Sequence, residues 1–176
     1  MKDIELKLVS ELMKNSRRSD RDLAKAMGVS QPTVSRLLRK LEKDGIIKEY
    51  TMIPDFRKLG FDLLALTFVK IQESGPKKTE KTAGIIEDMK ENLPEAVMFE
   101  RGLGLGYDGV IVSFHKDYSS YISFRKRIRD HCSLDISGIE GFLISLDAEA
   151  QYGLPLTFAT LAPNLLILGK KTEDKP

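Results

Sequence analysis

The feature that most constrains this chain is the punctuation Met27-Gly28-Val29-Ser30-Gln31-Pro32. A glycine at the end of an apolar-periodic stretch supplies the left-handed conformation that stops a helix without a Cβ clash. Ser30 then caps a new helix, and Pro32 falls in its first turn, where a missing N–H costs nothing. A chain that stops one helix and starts another within about four residues must turn sharply between them.

The flanking residues supply the helices. Asp3 can cap a first one, whose apolar stripe of Ile4, Leu8 and Leu12, with Val9 and Met13 beside it, runs through Lys14. Asn15 to Arg18 breaks that pattern. Ser19-Asp20-Arg21-Asp22 reads as a capping-box variant with aspartate where glutamate or glutamine is usual, opening a short helix with Leu23, Ala26 and Met27. In the third helix Val34, Leu37, Leu38 and Leu41 share one stripe. Its opposite side carries Pro32, Ser35, Arg36, Arg39 and Lys43, with Gln31, Thr33 and Lys40 on the flanks. Gly45 closes it. Ile46 to Ile53 is rich in strand formers, is ended by Pro54, and predicts the strand of a wing.

Three helices with a tight turn and then a strand pair describe a winged helix-turn-helix. A helix fits the major groove of double-stranded DNA, arginine reads guanine bidentately, and serine, threonine and glutamine reach phosphates or base edges. The expected DNA contacts are therefore Ser30, Gln31, Thr33, Ser35, Arg36, Arg39, Lys40 and Lys43. Charge agrees in sign: residues 1–58 hold 14 Lys and Arg against 9 Asp and Glu, whereas the remaining 118 hold 14 against 17. A basic first third on a mildly acidic remainder points to a polyanion for the first part alone.

The remainder changes character after the proline- and glycine-containing link Pro54 to Phe61. Strands are expected from Asp62 through Gln72, over Ala96–Glu100, Gly109–Phe114 and Ile139–Leu146. Helices are expected over Lys77–Asn92, with Ile85, Ile86 and Met89 inward, and over Tyr118–Cys132, with Tyr121, Ile122, Phe124 and Ile128 inward. The order βαββαβ is that of a ferredoxin-like sandwich, so the fold class is α+β. Two helices cover one face of such a sheet. The other face, if apolar, needs a partner, and a second copy of the chain is the simplest one.

Several functions are excluded. Cys132 is the only cysteine, which rules out an internal disulfide framework or a cysteine-rich zinc module. His115 and His131 show no metal-ligand spacing, so neither metal, cofactor nor catalytic constellation is expected, and the chain reads as no enzyme. No apolar run approaches the roughly 18 residues of a spanning helix, and the N-terminus is charged and amphipathic, so a cytoplasmic protein without membrane contact is expected. Arg101-Gly102-Leu103-Gly104-Leu105-Gly106-Tyr107-Asp108 fails the nucleotide-loop spacing and precedes no helix. It reads either as a flexible β-turn or as a ligand loop. In the second case the backbone N–H groups at Gly102, Gly104 and Gly106 would meet a carboxylate and Asp108 an α-ammonium group.

Taken together, Asp22-Leu23-Ala24, Gly28-Val29-Ser30, Val34, Arg36, Leu41, Gly45-Ile46-Ile47, Leu59-Gly60-Phe61 and Gly106-Tyr107-Asp108 resemble the Lrp/AsnC (leucine-responsive/asparagine-responsive) family of transcriptional regulators over residues 1 to about 150. The resemblance implies a winged helix-turn-helix over 1–54, a linker over 55–61, and a ferredoxin-like ligand-binding and dimerisation domain over 62–150. It also implies homodimers that pair their sheets, often assembling to octamers, with an amino acid or related small-molecule effector bound between subunits near the glycine turn. Residues 151–176 form an extension, apolar in Leu154–Phe158 and Asn164–Leu168 and disordered only at Lys170–Pro176. Two other readings compete. A siroheme-decarboxylase-like enzyme of similar architecture would need imidazoles converging on a large cleft, and two histidines are available. A ligand-binding assembly protein without DNA contact sits poorly with the cationic face of the third helix.

Overall fold

The apolar spacing of the first 43 residues gives three helices: α1 (Asp3–Lys14), α2 (Asp20–Met27) and α3 (Gln31–Lys43). A computed structural model describes residues 1–72, 87, 89–131, 136–146, 156–165 and 167. The chain divides into two units, Met1–Ile53 with Leu154–Pro176, and Pro54–Gly153.

In the first unit Leu8, Leu23, Ala24, Met27, Val34, Leu37 and Leu41 form a buried cluster, with Ile4, Val9, Leu12 and Leu38 against it. Each such leucine or valine contributes roughly 1.5–3 kcal/mol relative to an exposed one. On α2 it is Ala24 that turns inward, and Ala26 is exposed. The N-cap of α1 is Lys2 rather than Asp3, and the Lys2 N–H donates to Glu5 Oε2 at 2.9 Å. The serine cap of α2 forms as expected: Ser19 Oγ accepts from the Asp22 N–H. Gly28 ends α2 at φ 71°, ψ 36°, and the Val29 N–H then reaches back to the Ala24 carbonyl at 3.0 Å. That left-handed step re-aims the chain into α3.

The wing strand expected over Ile46–Ile53 does not form a ladder. The backbone there has no regular structure, and Ile46, Tyr50, Met52 and Ile53 are exposed. A strand needs a neighbour for its N–H and C=O groups, and none runs beside it among the described residues. It is tied to α3 at its start by the Ile46 and Ile47 N–H groups, which donate to the Leu41 carbonyl at 2.9 and 3.2 Å, and further on by the Tyr50 hydroxyl, which donates to Glu42 Oε1 at 3.0 Å.

The second unit is a four-stranded antiparallel sheet of β1 (Leu63–Ile71), β2 (Ala96–Gly104), β3 (Tyr107–His115) and β4 (Ile136–Ser145), in the order β2-β3-β1-β4, with α4 (Tyr118–His131) between β3 and β4. Residues 87 and 89–92 are helical, and Lys77–Ile86 of the expected earlier helix, with Ile85 and Ile86, lies outside the described residues. Strands β2 and β3 run past their expected ends and meet in a hairpin. This is the ferredoxin-like arrangement.

Period-two alternation gives the sheet two unlike faces. Ala65, Val69, Ile111 and Ile139 pack with Tyr121, Phe124 and Ile128 of α4 and with Met89 and Leu93. Ile122 points away from that core and is exposed. His115 is also buried here: its Nε2 pairs with Ser113 Oγ at 2.8 Å, its ring stands edge-on to Tyr121 and Phe124, and burial holds its pKa below the ordinary histidine range. On the opposite face the ladder aligns Met98, Val112, Leu66 and Phe142, beside the row Phe114, Leu64, Ile144. Phe142 is 61% exposed and Met98 42%, so this face carries large apolar side chains uncovered.

Phe56 stacks on Phe114 with centroids 3.7 Å apart, so the turn before β1 is held against β3. Closer still is the approach of α4 to β4. A Cβ on Gly141 would lie 1.8 Å from the Tyr121 hydroxyl oxygen and 2.8 Å from the ring carbon bearing it. Gly141→Ala is therefore expected to destabilise by about 1–3 kcal/mol, the usual cost of overpacking a filled core. Adding Tyr121→Phe removes the nearer atom and should recover part of the loss in a denaturant titration. Equal midpoints for Gly141→Ala and the parent would show the packing to be looser than described.

Candidate nucleic-acid interface and effector groove

Burial of Val34, Leu37 and Leu41 sets the roll of α3, and everything on its other side follows from that roll. At 100° per residue Arg36, Arg39 and Lys43 fall within about 60° of one another on the outward stripe. All three are exposed, and none has a hydrogen-bond or ion-pair partner among the described residues. Gln31 and Pro32 are exposed at the N-terminal end of the same helix.

The other expected DNA contacts are placed differently. Ser35 Oγ donates to Asp20 Oδ2, joining α3 to α2. Ser30 Oγ and Thr33 Oγ1 pair with each other at 2.8 Å across the first turn of α3. Lys40 sits at the edge of the stripe, its ammonium 2.7 Å from Glu5 Oε1 and 3.1 Å from Asp44 Oδ2. Glu5 is nearly inaccessible, and the hydrogen bond from Lys40 holds its carboxyl below the usual carboxylate range; the same bond raises Lys40. Lys40 is thus a strut between α3 and α1. Spacing could not reveal these partners, because Asp20 and Glu5 lie 15 and 35 residues away in the chain.

The glycine-rich segment is resolved as the β2–β3 hairpin. Gly104 faces Tyr107 across a two-residue turn of Leu105 (φ 55°) and Gly106 (φ 78°). Positive φ at both central positions matches the right-handed twist of the strands, and Gly106 adopts it freely. Leu105 does so at a steric cost.

Asp108 is tied to the sheet. The β1–β4 register shifts between Lys70 and Ile71, and Asp108 Oδ2 accepts the Ile71 N–H at 2.8 Å. A shallow groove of about 250 Å³ lies beside the hairpin, lined by Phe68, Gly102, Leu103, Gly104, Leu105, Tyr107, Gly109 and Val110. Gly102 and Gly104 line it, whereas Gly106 and Asp108 do not. Its walls are apolar and aromatic, with no charged side chain. Leu103, fully exposed, and Leu105, largely exposed, stand at its rim; they were not singled out from sequence, although a leucine between glycines in a turn is the signal for an uncovered apolar tip. Among the described residues no group of three or more His, Cys, Asp or Glu could hold a metal ion, and no helix is long and apolar enough to cross a membrane.

Residues 1–48 match a family of winged helix-turn-helix DNA-binding modules. The HTH-type transcriptional regulator Ptr1 of Methanocaldococcus jannaschii is 31% identical over 121 residues, 69% of this chain and 76% of that one. Bacillus subtilis LrpC is 37% identical over 71 residues, 40% of this chain and 49% of its own. The chain belongs to the Lrp/AsnC family of transcriptional regulators. The solved structure of LrpC superposes over 82% of this chain and 94% of its own, with a TM-score of 0.65 at 24% identity. A Neisseria meningitidis transcriptional regulator, solved as a complex with L-Met, shares the fold at 17% identity over 92% of this chain and 99% of its own, with a TM-score of 0.68. The chain is accordingly a DNA-binding transcription regulator.

Proposed function

We propose that Arg36, Arg39, Lys43 and Gln31 of α3 contact double-stranded DNA, and that a homodimer presents two such helices. The observation that carries the reading is the stripe of three exposed cations without partners on a helix whose opposite side is locked in the core. Unpaired cations are free to displace counterions from phosphate, and arginine adds bidentate reading of guanine. Lys40 and Ser35 support that surface from behind. Ser30 and Thr33 order the end of α3 where it would enter the groove. One helix reads a short half-site, so tight binding calls for two copies about one helical turn, roughly 34 Å, apart.

The face bearing Met98, Leu66, Val112 and Phe142 supports the dimer, because a second sheet would cover apolar area that one chain leaves in water. An effector fits the hairpin groove by its side chain, against Phe68 and Tyr107, with backbone groups of Gly102 and Gly104 alongside. The L-Met complex of the Neisseria relative favours an amino acid. Asp108 lies between the lining residues Tyr107 and Gly109 in sequence, and its carboxylate, which accepts the Ile71 N–H, supplies the negative charge an ammonium group would meet.

Replacing Arg36 or Arg39 by alanine is expected to cost about 1–3 kcal/mol of operator affinity where the side chain reads a base. A phosphate contact would instead weaken all sequences alike and reduce the salt slope by about one. Unchanged binding in both variants, with the fold intact by circular dichroism, would overturn the assignment of α3. The dimer is read by light scattering: the parent should scatter as a dimer or larger, and Phe142→Glu as a monomer. A monomeric parent at micromolar concentration would remove that interface.

For the effector, a panel of amino acids should contain a member that raises Tm and shifts DNA affinity. At a hundredfold excess over Kd the stabilisation is about 2.7 kcal/mol. Asp108→Asn keeps an acceptor for the Ile71 N–H but loses the charge, so it should abolish the response while leaving ligand-free stability unchanged. A full response in Asp108→Asn would confine that carboxylate to its role in the sheet.

A further inference from the structure

Helix α4 of the sheet unit carries its own outward stripe, and the packing of that unit does not account for it. At 100° per residue Tyr118, Ile122, Arg125, Lys126 and Arg129 fall within about 100° of arc, turned away from the buried Tyr121, Phe124 and Ile128. Tyr118 is 59% exposed and Ile122 42%, and Lys126 and Arg129 are exposed beyond them. A shallow concavity of about 350 Å³ follows the stripe, lined by Ile122, Arg125, Lys126, Arg129 and Asp130.

The cations of α4 divide by what they hold. Arg127 lies off the stripe, pairs with Glu95 and donates to the Asn92 carbonyl at 3.3 Å, joining α4 to the residues before β2. Arg125 is half-buried at the border: its Nη2 donates to the Ile139 carbonyl at 3.1 Å, and its guanidinium carbon lies 5.9 Å from the centre of the Tyr121 ring. Lys126 and Arg129 have no hydrogen-bond or ion-pair partner among the described residues. The structural work of the helix is therefore done by Arg127 and Arg125, and the two exposed cations are left over.

We infer that this stripe docks a short acidic segment of a partner protein, with an apolar side chain against Tyr118 and Ile122 and carboxylates against Arg125, Lys126 and Arg129. An exposed aromatic, an aliphatic and arginines in one strip are the composition of an interface centre. Their order matters: the apolar pair occupies the start of the helix and the cations its later turns. From Tyr118 to Arg129 the stripe runs roughly 16 Å, a length that an extended segment covers in about five residues. Charge complementarity then calls for two or three carboxylates beside one apolar anchor.

Other occupants fit less of the stripe. A DNA backbone would leave Tyr118 and Ile122 without apolar contact and bring phosphates toward Asp130. The chain after residue 58 is also net acidic, with 14 Lys and Arg against 17 Asp and Glu, so its wider field does not draw a polyanion. A short peptide reads charge locally, within a Debye length of about 8 Å. A membrane surface asks for a broad apolar side, and α4 has its own buried in the core. The sheet face proposed for the dimer, with Leu66 and Phe142, is the one away from α4, so a dimer formed there leaves the stripe open. The inference stands apart from the DNA-binding reading.

The test pans full-length protein against a display library of random decapeptides, with the Lys126→Glu/Arg129→Glu protein as counter-selection. Enriched peptides are expected to carry two or more Asp or Glu within about five residues of a Leu, Ile, Phe or Trp. Synthesised with a fluorescent label, they should lose at least tenfold in affinity for the double variant and threefold or more for Ile122→Ser, and weaken as salt rises. All three side chains face water, so Tm and affinity for duplexes that the parent selects should stay at parental values.

Failure to recover any peptide that distinguishes the parent from the double variant would overturn the docking surface. Peptides indifferent to Ile122→Ser would overturn the apolar anchor and with it the specific segment. Weaker binding of the double variant to duplexes longer than the selected site would assign the stripe to phosphate instead. A smaller assembly of the double variant in light scattering would assign it to a second copy of the chain. If Lys126→Glu/Arg129→Glu fails to fold, Lys126→Ala/Arg129→Ala carries the same comparisons.

Discussion

The burial of Val34, Leu37 and Leu41 against Leu8 and Leu23 is the contact on which the function of the first unit depends. It stabilises the three helices, and it also fixes the roll of α3. A helix rotated by one residue, about 100°, would turn Arg36 toward the core and expose a leucine instead. The cost of burying an unpaired guanidinium far exceeds what any rearrangement of three short helices could recover. So the outward stripe of Arg36, Arg39 and Lys43 is enforced by the apolar side of the same helix. Glu5 and Ser35 refine this. The Lys40–Glu5 and Ser35–Asp20 contacts join α3 to α1 and α2 at the two borders of the stripe, which keeps its cations in a fixed frame.

The same logic of one face determining the other runs through the sheet. β1 is paired on both sides, and its Ala65, Thr67 and Val69 are fully buried beneath helices. Strand pleating then forces Leu64, Leu66 and Phe68 to the opposite side, where the described residues include no covering layer. Neighbours in the ladder repeat the pattern, giving a continuous apolar surface rather than scattered leucines. Such a surface is consistent with an assembly that buries it.

What could be read from sequence divides along physical lines. Periodicity and punctuation are local, so the three helices, the Gly28 turn, the order of strands and the uncovered sheet face were legible, whereas the apolar character of that face follows from the ladder register. The wing was not, because strand propensity at Ile46–Ile53 says nothing about whether a second strand lies alongside. Nor were the partners of Lys40 and Ser35, which depend on tertiary packing. The eight expected DNA contacts looked alike as polar residues on one side of a helix; packing separates Gln31, Arg36, Arg39 and Lys43, which face water, from Ser35 and Lys40, which hold helices together. Asp108 shows the same limit. Its position before β3 was visible, but its use as an acceptor for Ile71 follows from a register shift in a ladder two strands long.

Leu105 breaks a local rule without any packing return. A γ-branched residue held at φ 55° costs about 1–2 kcal/mol, and its side chain, 82% exposed, buries little in the single chain. Glycine or asparagine at that position would satisfy the turn at lower energy. Leu103, fully exposed beside it, is a second apolar side chain in water at the same hairpin end. Both line the groove with Phe68 and Tyr107. Strain and exposure at one place offset each other only when something covers them, and a ligand side chain or a neighbouring subunit seated on the hairpin would recover in buried apolar area what the turn gives up.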